Sequence, residues 1–348
     1  VEFDIFYQLP QADSQNSPTR YRELIDEAAE ADKLGFATVW LAEVHFAPHF
    51  SVMPAPMMLH AAIAERTRRI RLGLAVNLLP LHHPMRLAEE TAMLDAISGG
   101  RVDFGAGRGA FPLNYRGYGV PVAESRTYFE EAVEFVRAAW TQERVTFHGK
   151  HFSADGINVV PKPVQRPHPP IRLAANSGET FVYAGEHGYP IFAGGPVNPF
   201  PVLADRLAIY ERALKSSGRR RPADWFAGLL MVFPGKDRAS VRAILEPSLR
   251  NYFNSVAEII EPETLAPEHR AEFDKARARL LGIQYEQVDE LMGAFGESEY
   301  IADKIAALKE RFGFTRLVCW FETGGLSGHR NVLDAMRLFA ERVIPRFA

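Results

Sequence analysis

The feature that most constrains this chain is a change of hydrophobic period that recurs eight times: a short apolar run, then apolar residues at helical spacing. Glu2–Leu9 reads as a strand, and Leu24, Ile25, Ala28, Ala29 and Leu34 mark a helix over Tyr21–Leu34 that Gly35 closes. Thr38–Leu41 is the second strand, with a helix from Pro56 to Arg66. Ile70–Val76 is the third, and its helix runs from Pro84 to the Gly99-Gly100 pair. Val102–Gly105 is the fourth; a glycine-rich loop separates it from a helix over Ala123–Thr141. The pattern resumes with strand and helix pairs at Ile171–Ala175 and Gly178–Glu186, Pro190–Ala193 and Val202–Ser216, and Trp225–Phe233 and Asp237–Arg250. The last pair is Thr315–Phe321 and Val332–Ile344. Two stretches interrupt the alternation. Val145–Phe152 reads as a hairpin turning at Gly149, with a proline-rich run from Pro161 to Pro170 behind it. Asn251–Ser298 is a polar insertion with helical pieces, followed by an amphipathic helix over Glu299–Phe312.

A chain of 348 residues has room for two average domains or one large barrel. Eight consecutive strand–helix units favour an α/β fold with a single (β/α)8 TIM barrel over 1–348, carrying insertions near 145–152 and 251–298, rather than a doubly wound sheet. The formal net charge of -3 argues against a nucleic-acid or anionic-membrane surface. One cysteine, Cys319, leaves no disulfide framework and no thiolate metal cluster. No apolar run reaches the roughly 20 residues that span a bilayer. The first residues, Val1-Glu2-Phe3-Asp4, are acidic where a signal peptide would be basic, so a cytoplasmic protein is expected.

In such a barrel the chemistry lies in the loops after the strands. Glu43, His45 and His49 follow the second strand, and Asn77, His82 and His83 the third. Gly105, Gly107, Arg108 and Gly109 follow the fourth, and Asn176 and Ser177 the fifth. The alternate glycines would let backbone amides approach an anion, with Arg108 adding a planar fork; the plainer reading is a glycine turn with a solvated arginine. A dinucleotide fingerprint needs a helix to open at once, which Pro112, Gly117 and Gly119 argue against. Arg126 reads as a first-turn arginine. Ser177 and Thr180 read as capping residues whose helix N-terminus would equally suit an anion. The histidines lack H-x-H or H-E-x-x-H spacing, so no metal site is expected.

Three stretches then resemble the bacterial luciferase-like flavin-dependent monooxygenases, and the likeness covers almost the whole chain. They are Phe36–Phe46, His83–Glu90 with Gly99–Gly109, and Phe321–Leu326. The resemblance implies a barrel that binds FMN or, in some branches, F420. It matches Arg108, Arg126, Ser177 and Thr180 to the residues that hold the cofactor phosphate, and places Ala75-Val76 at a non-proline cis peptide beside the flavin. Ala75, Asn77, Gly107, Gly109 and Asn176 complete the expected cofactor set, and Phe6, Tyr7 and Gln8 are candidates to line the ring pocket. Two departures matter. Where luciferases have consecutive histidines this chain has Val44 and His45, and Gly107 replaces a reactive cysteine, so light emission is not expected. Glu43 and His45 are the catalytic candidates, His45 either as acid/base or as a hydrogen-bonded histidine behind the pocket.

The implied activity is that of the oxygenase of a two-component system. It would take reduced FMN from a separate NAD(P)H:flavin reductase and use O2 on a small hydrophobic substrate, with 251–298 as the lid. An F420-dependent dehydrogenase or reductase on the same barrel is the alternative, and a non-catalytic flavin-binding barrel is the alternative of another class. A second apolar stripe on Ala55–Ala64 suggests a subunit contact and a homodimer.

Overall fold

In the computed structural model, residues 1–259 and 267–348 are described. The first half comprises β1 (Glu2–Tyr7), α1 (Ser17–Leu34), β2 (Thr38–Leu41), α2 (Pro56–Arg66), β3 (Arg71–Leu74), β4 (Asn77–Leu78), α3 (Pro84–Ser98) and β5 (Val102–Gly107). Next come α4 (Pro112–Tyr118), α5 (Ser125–Thr141), β6 (Val145–His148), β7 (Ser153–Ile157), β8 (Ile171–Ala174), α6 (Gly178–His187), β9 (Ile191–Gly194) and α7 (Phe200–Ser216). The remainder is β10 (Phe226–Pro234), α8 (Arg238–Ile259), α9 (Pro267–Gly282), α10 (Tyr285–Met292), β11 (Gly293–Gly296), α11 (Ser298–Phe312), β12 (Arg316–Trp320) and α12 (His329–Arg342). Parallel pairing runs β1–β2–β3–β5–β8–β9–β10–β12 and returns to β1, which closes an eight-stranded barrel. Local signals set the helix ends: the Asn16 side chain accepts from the Thr19 amide, prolines open α2 and α3, and Gly35 and Gly99 end α1 and α3 in the left-handed conformation.

Inside the barrel the strand N-termini carry paired charges. Arg316 forks onto Asp4 at 2.8 and 2.9 Å, and Trp40 Nε1 donates to the same carboxylate at 2.9 Å. Arg71 forks onto Asp103 at 2.7 and 2.9 Å. Above this belt lie aromatic rings: Phe6 meets Trp320 edge-on at 5.1 Å, and Trp40 meets Phe192 at 5.7 Å. Gly73 faces the Trp40 ring, which would lie 2.3 Å from a Cβ at that position. The lower barrel is solid.

Four readings from sequence need correction. The loop after β5 does form a helix, α4, because Pro112 takes the first-turn position that needs no N–H and Gly119 is the left-handed cap. It opens five residues beyond Gly107, so it still provides no dinucleotide turn. The seventh helix runs to Ile259, well past Arg250, so Tyr252 and Phe253 belong to α8 and not to an insertion. Within 251–298, Gly293–Gly296 is a parallel strand registered on Met231–Pro234, an element that the reading of helical pieces did not include. Residues 260–266 of the expected lid lie outside the described residues. The third strand is split by a cis peptide at Ala75-Val76 into β3 and β4.

Candidate active site

A cavity of about 740 Å³ opens at the C-terminal ends of the strands. Phe6, Phe192 and Trp320 line it and belong to the aromatic layer, and its walls include Val44, Phe50, Leu229, Tyr252 and Phe253. Of the three strand-end residues of β1 expected to face inward, Phe6 and Gln8 do. Tyr7 is instead buried with its hydroxyl 3.7 Å from Met336 Sδ on α12. Gln8 presents a buried Oε1 without a hydrogen-bond partner, a polar atom left available on a mostly apolar wall.

β5 and the cis peptide form one side. A Cβ on Gly105 would lie 1.7 Å from the Leu74 carbonyl oxygen, and one on Gly107 would lie 2.3 Å from Val76 Cγ2. These two glycines therefore let β5 close against β3 and the cis turn, a packing role that the spacing alone did not distinguish from anion binding. Gly109, with φ of 87°, turns the chain so that Arg108 stands exposed at the rim, its carbonyl accepting from the Tyr115 hydroxyl. Ala75, Gly107, Arg108, Gly109, Arg126, Asn176, Ser177 and Thr180 all line the cavity. Asn77 does not: it is buried behind the wall and donates to the Gly105 carbonyl at 3.3 Å.

The rim gathers groups that suit an anion. Ser177 occupies the N-cap position of α6 yet makes no capping hydrogen bond; its hydroxyl lies 3.2 Å from that of Thr180. Both hydroxyls thus lie beside the positive end of the helix, a place suited to an anion. Arg108 carries no ion pair with any described residue, whereas Arg126 is held by two carboxylates. Glu130 sits on Nε at 2.9 Å and Glu179 on Nη1 at 2.5 Å. Both glutamates line the cavity, and neither was singled out for the site from sequence.

Glu43 is buried beside β4 and gathers three donors. His45 Nε2 and His82 Nε2 donate to Oε1 at 2.8 and 2.6 Å, and the Leu78 amide donates to Oε2 at 2.9 Å. Burial would raise this carboxyl, but the two imidazoles and the amide outweigh it and hold Glu43 below the usual carboxylate range. Burial likewise lowers His82, and the hydrogen bond and charge of Glu43 more than compensate, so His82 is raised. His45 lies behind Glu43 and does not line the cavity; its Nδ1 accepts from the Tyr118 hydroxyl at 3.2 Å. His82, weighed from sequence only as a metal ligand, is instead the second donor to Glu43. Among the described residues no group of three His, Cys, Asp or Glu side chains is placed to hold a metal ion. No helix among them is long and apolar enough to cross a membrane.

A cavity of this volume suits a ligand the size of a flavin mononucleotide. Two guanidinium groups, two hydroxyls bonded, among the described residues, only to each other and a helix N-terminus suit its phosphate.

Residues 1–316 match the family described as luciferase-like monooxygenase. Among curated relatives, uncharacterized protein y4wF of Sinorhizobium fredii is 34% identical over 73% of this chain and 73% of its own length. The oxygenase component of flavin-dependent trigonelline monooxygenase from Acinetobacter baylyi is 30% identical over 54% of this chain and 52% of its own. Limonene 1,2-monooxygenase of Rhodococcus erythropolis is 29% identical over 91% and 79%. Among solved structures, monooxygenase RslO1 of Streptomyces bottropensis superposes with a TM-score of 0.85 at 26% identity over all of both chains. The oxygenating constituent of 3,6-diketocamphane monooxygenase from Pseudomonas putida, in complex with FMN, gives 0.80 at 20% identity over 99% of this chain and 98% of that one. The F420-dependent tetrahydromethanopterin reductase of Methanopyrus kandleri gives 0.73 at 21% over 100% and 99%. The chain belongs to the luciferase-like monooxygenase family.

Proposed function

We propose that this chain is the oxygenase of a two-component flavin monooxygenase. It takes reduced FMN from a separate NAD(P)H:flavin reductase in the cytoplasm and uses O2 to oxygenate a small hydrophobic organic molecule. The observation that carries this reading is the anion seat of Arg108, Arg126, Ser177 and Thr180 on the rim of an apolar, glycine-walled cavity. The relative named as an oxygenase component and the structural neighbour solved with FMN support it.

Bound reduced flavin supplies the electrons that activate dioxygen. The protein's work is positioning and shelter. Arg108 and Arg126 fix the phosphate, with Ser177 and Thr180 donating from the start of α6. Ala75, Gly107 and Asn176 would hold the ring, and Asn77 supports their wall through Gly105. Glu43 keeps a negative charge at Oε1 beside that wall. His45 acts through Glu43 as a positioning residue, and His82, one-third exposed, can exchange a proton between solvent and that carboxylate. Val44, Phe50, Tyr252 and Trp320 exclude water and suit a hydrophobic substrate.

Anaerobic titration with reduced FMN, F420 and riboflavin tests the reading. Tight binding of reduced FMN is expected, weakened at least tenfold by Arg108→Ala or Arg126→Ala, with riboflavin affected far less. Preference for F420 with no oxygen consumption would overturn the reading.

A further inference from the structure

The anion seat has no net charge as it stands. Arg108 and Arg126 contribute two positive groups and Glu130 and Glu179 two negative ones, all lining the same cavity. A phosphate dianion arriving there would find one arginine already engaged at Nε and Nη1.

The two carboxylates are not equivalent. Glu130 is four residues along α5 from Arg126, about one-third exposed, and bound to the guanidinium Nε. Its place is set by the helix that carries both residues, so it aims the guanidinium. Glu179 comes from a different element, the first turn of α6, and its side chain is 67% exposed. It reaches across to Nη1, one of the two terminal nitrogens with which an arginine fork grips a phosphate. It also shares its turn with Thr180 and directly follows Gly178, whose missing Cβ leaves room for Arg206 Nη1, 2.4 Å from where that atom would stand.

Resting on the flavin reading above, we propose that Glu179 is a built-in competitor for the terminal phosphate of the cofactor. It occupies Arg126 Nη1 while the seat is free and turns out into solvent when the phosphate takes that nitrogen. Its position on the surface makes the exchange cheap, because an exposed ion pair holds its partners only weakly. Its cost to the cofactor is the loss of one ready-made contact and the residual repulsion of a carboxylate beside a dianion. The residue thereby sets a ceiling on affinity. An oxygenase that receives its cofactor reduced and must give it back oxidised gains from such a ceiling, since tight retention would stall each turn. Glu130 is the internal comparison, because it carries the same charge but orients the arginine.

The experiment is equilibrium binding of FMN to the wild-type protein, Glu179→Gln and Glu130→Gln, with the oxidised form followed by quenching of its fluorescence and the reduced form by anaerobic titration calorimetry. Riboflavin serves as the ligand without a phosphate, and inorganic phosphate as a competitor. Glu179→Gln is expected to bind FMN about fivefold to tenfold more tightly, with slower dissociation, unchanged riboflavin affinity and stronger competition by phosphate. Glu130→Gln is expected to bind FMN no more tightly than wild type. Equal or weaker FMN binding by Glu179→Gln, with wild type binding normally, would overturn the competitor role alone. Failure of both wild type and Glu179→Gln to bind reduced FMN would overturn the flavin reading and this inference together.

Discussion

Glu322 follows β12 with both carboxylate oxygens buried and without a hydrogen bond. Arg20 Nη2 lies 3.3 Å from Oε1, an ion-pair contact without hydrogen-bond alignment, and burial pushes the carboxyl up to about 7 despite it. The folded protein therefore holds this proton more tightly than the unfolded chain does. The stability it contributes is full below the ordinary carboxyl value and is lost as pH rises through 7. Glu322→Gln is expected to melt near the wild type at pH 5 and above it at pH 8, by on the order of 3 kcal/mol. A gap that does not widen with pH would contradict this assignment. Gly73 offers a packing test: Gly73→Ala drives a Cβ into the Trp40 ring and should cost about 1–3 kcal/mol in chemical unfolding. At this scale the sequence was partly legible. The arginines and hydroxyls of the seat could be picked out because unusual residues stood at the ends of strands. The Arg126–Glu179 pair could not, since its partners lie far apart in sequence and each reads alone as an ordinary first-turn residue.

Between the elements, Glu43 is a joint. It ties the loop after β2 to β4 through the Leu78 amide and to the turn just before α3 through His82. The signs of the two shifts define a window. Depression of Glu43 contributes stability above the ordinary carboxyl value, lost as pH falls; elevation of His82 contributes stability below the ordinary imidazole value, lost as pH rises through its raised value. Exchange of the Leu78 amide, corrected for its intrinsic rate, should be slowest between about pH 4.5 and 6.5 and quicken on either side. His82→Gln should abolish the alkaline limb while leaving the acidic one. Two elements escaped sequence reading for opposite reasons. α4 contains Pro112 and Gly117, which resemble breakers until the proline is seen at the first helical position. β11 is only Gly293-Ala-Phe-Gly296, too short to show a period, and it is a strand because β10 runs on to Pro234 and offers it a free edge.

Across the whole molecule the barrel was readable because each strand is buried on both faces and each helix on one, so the two periods alternate cleanly along the chain. Oligomeric state belongs to the same scale. Met58 on α2 and Met93 and Ile97 on α3 are exposed by 75%, 55% and 47% on two helices that pack together. We expect these faces to meet in a homodimer. The double variant Met58→Glu, Met93→Glu should sediment as a monomer with its melting behaviour otherwise retained, and an unchanged sedimentation coefficient would place the contact elsewhere.

The rings of Phe6, Trp40, Phe192 and Trp320 plug the lower barrel, so nothing can come or go from beneath. Among the described residues, the cavity is reached from the C-terminal ends of the strands. When two guests share the chamber, the one seated deeper must board first and depart last, and an excess of the shallower guest should slow the exit of the deeper one.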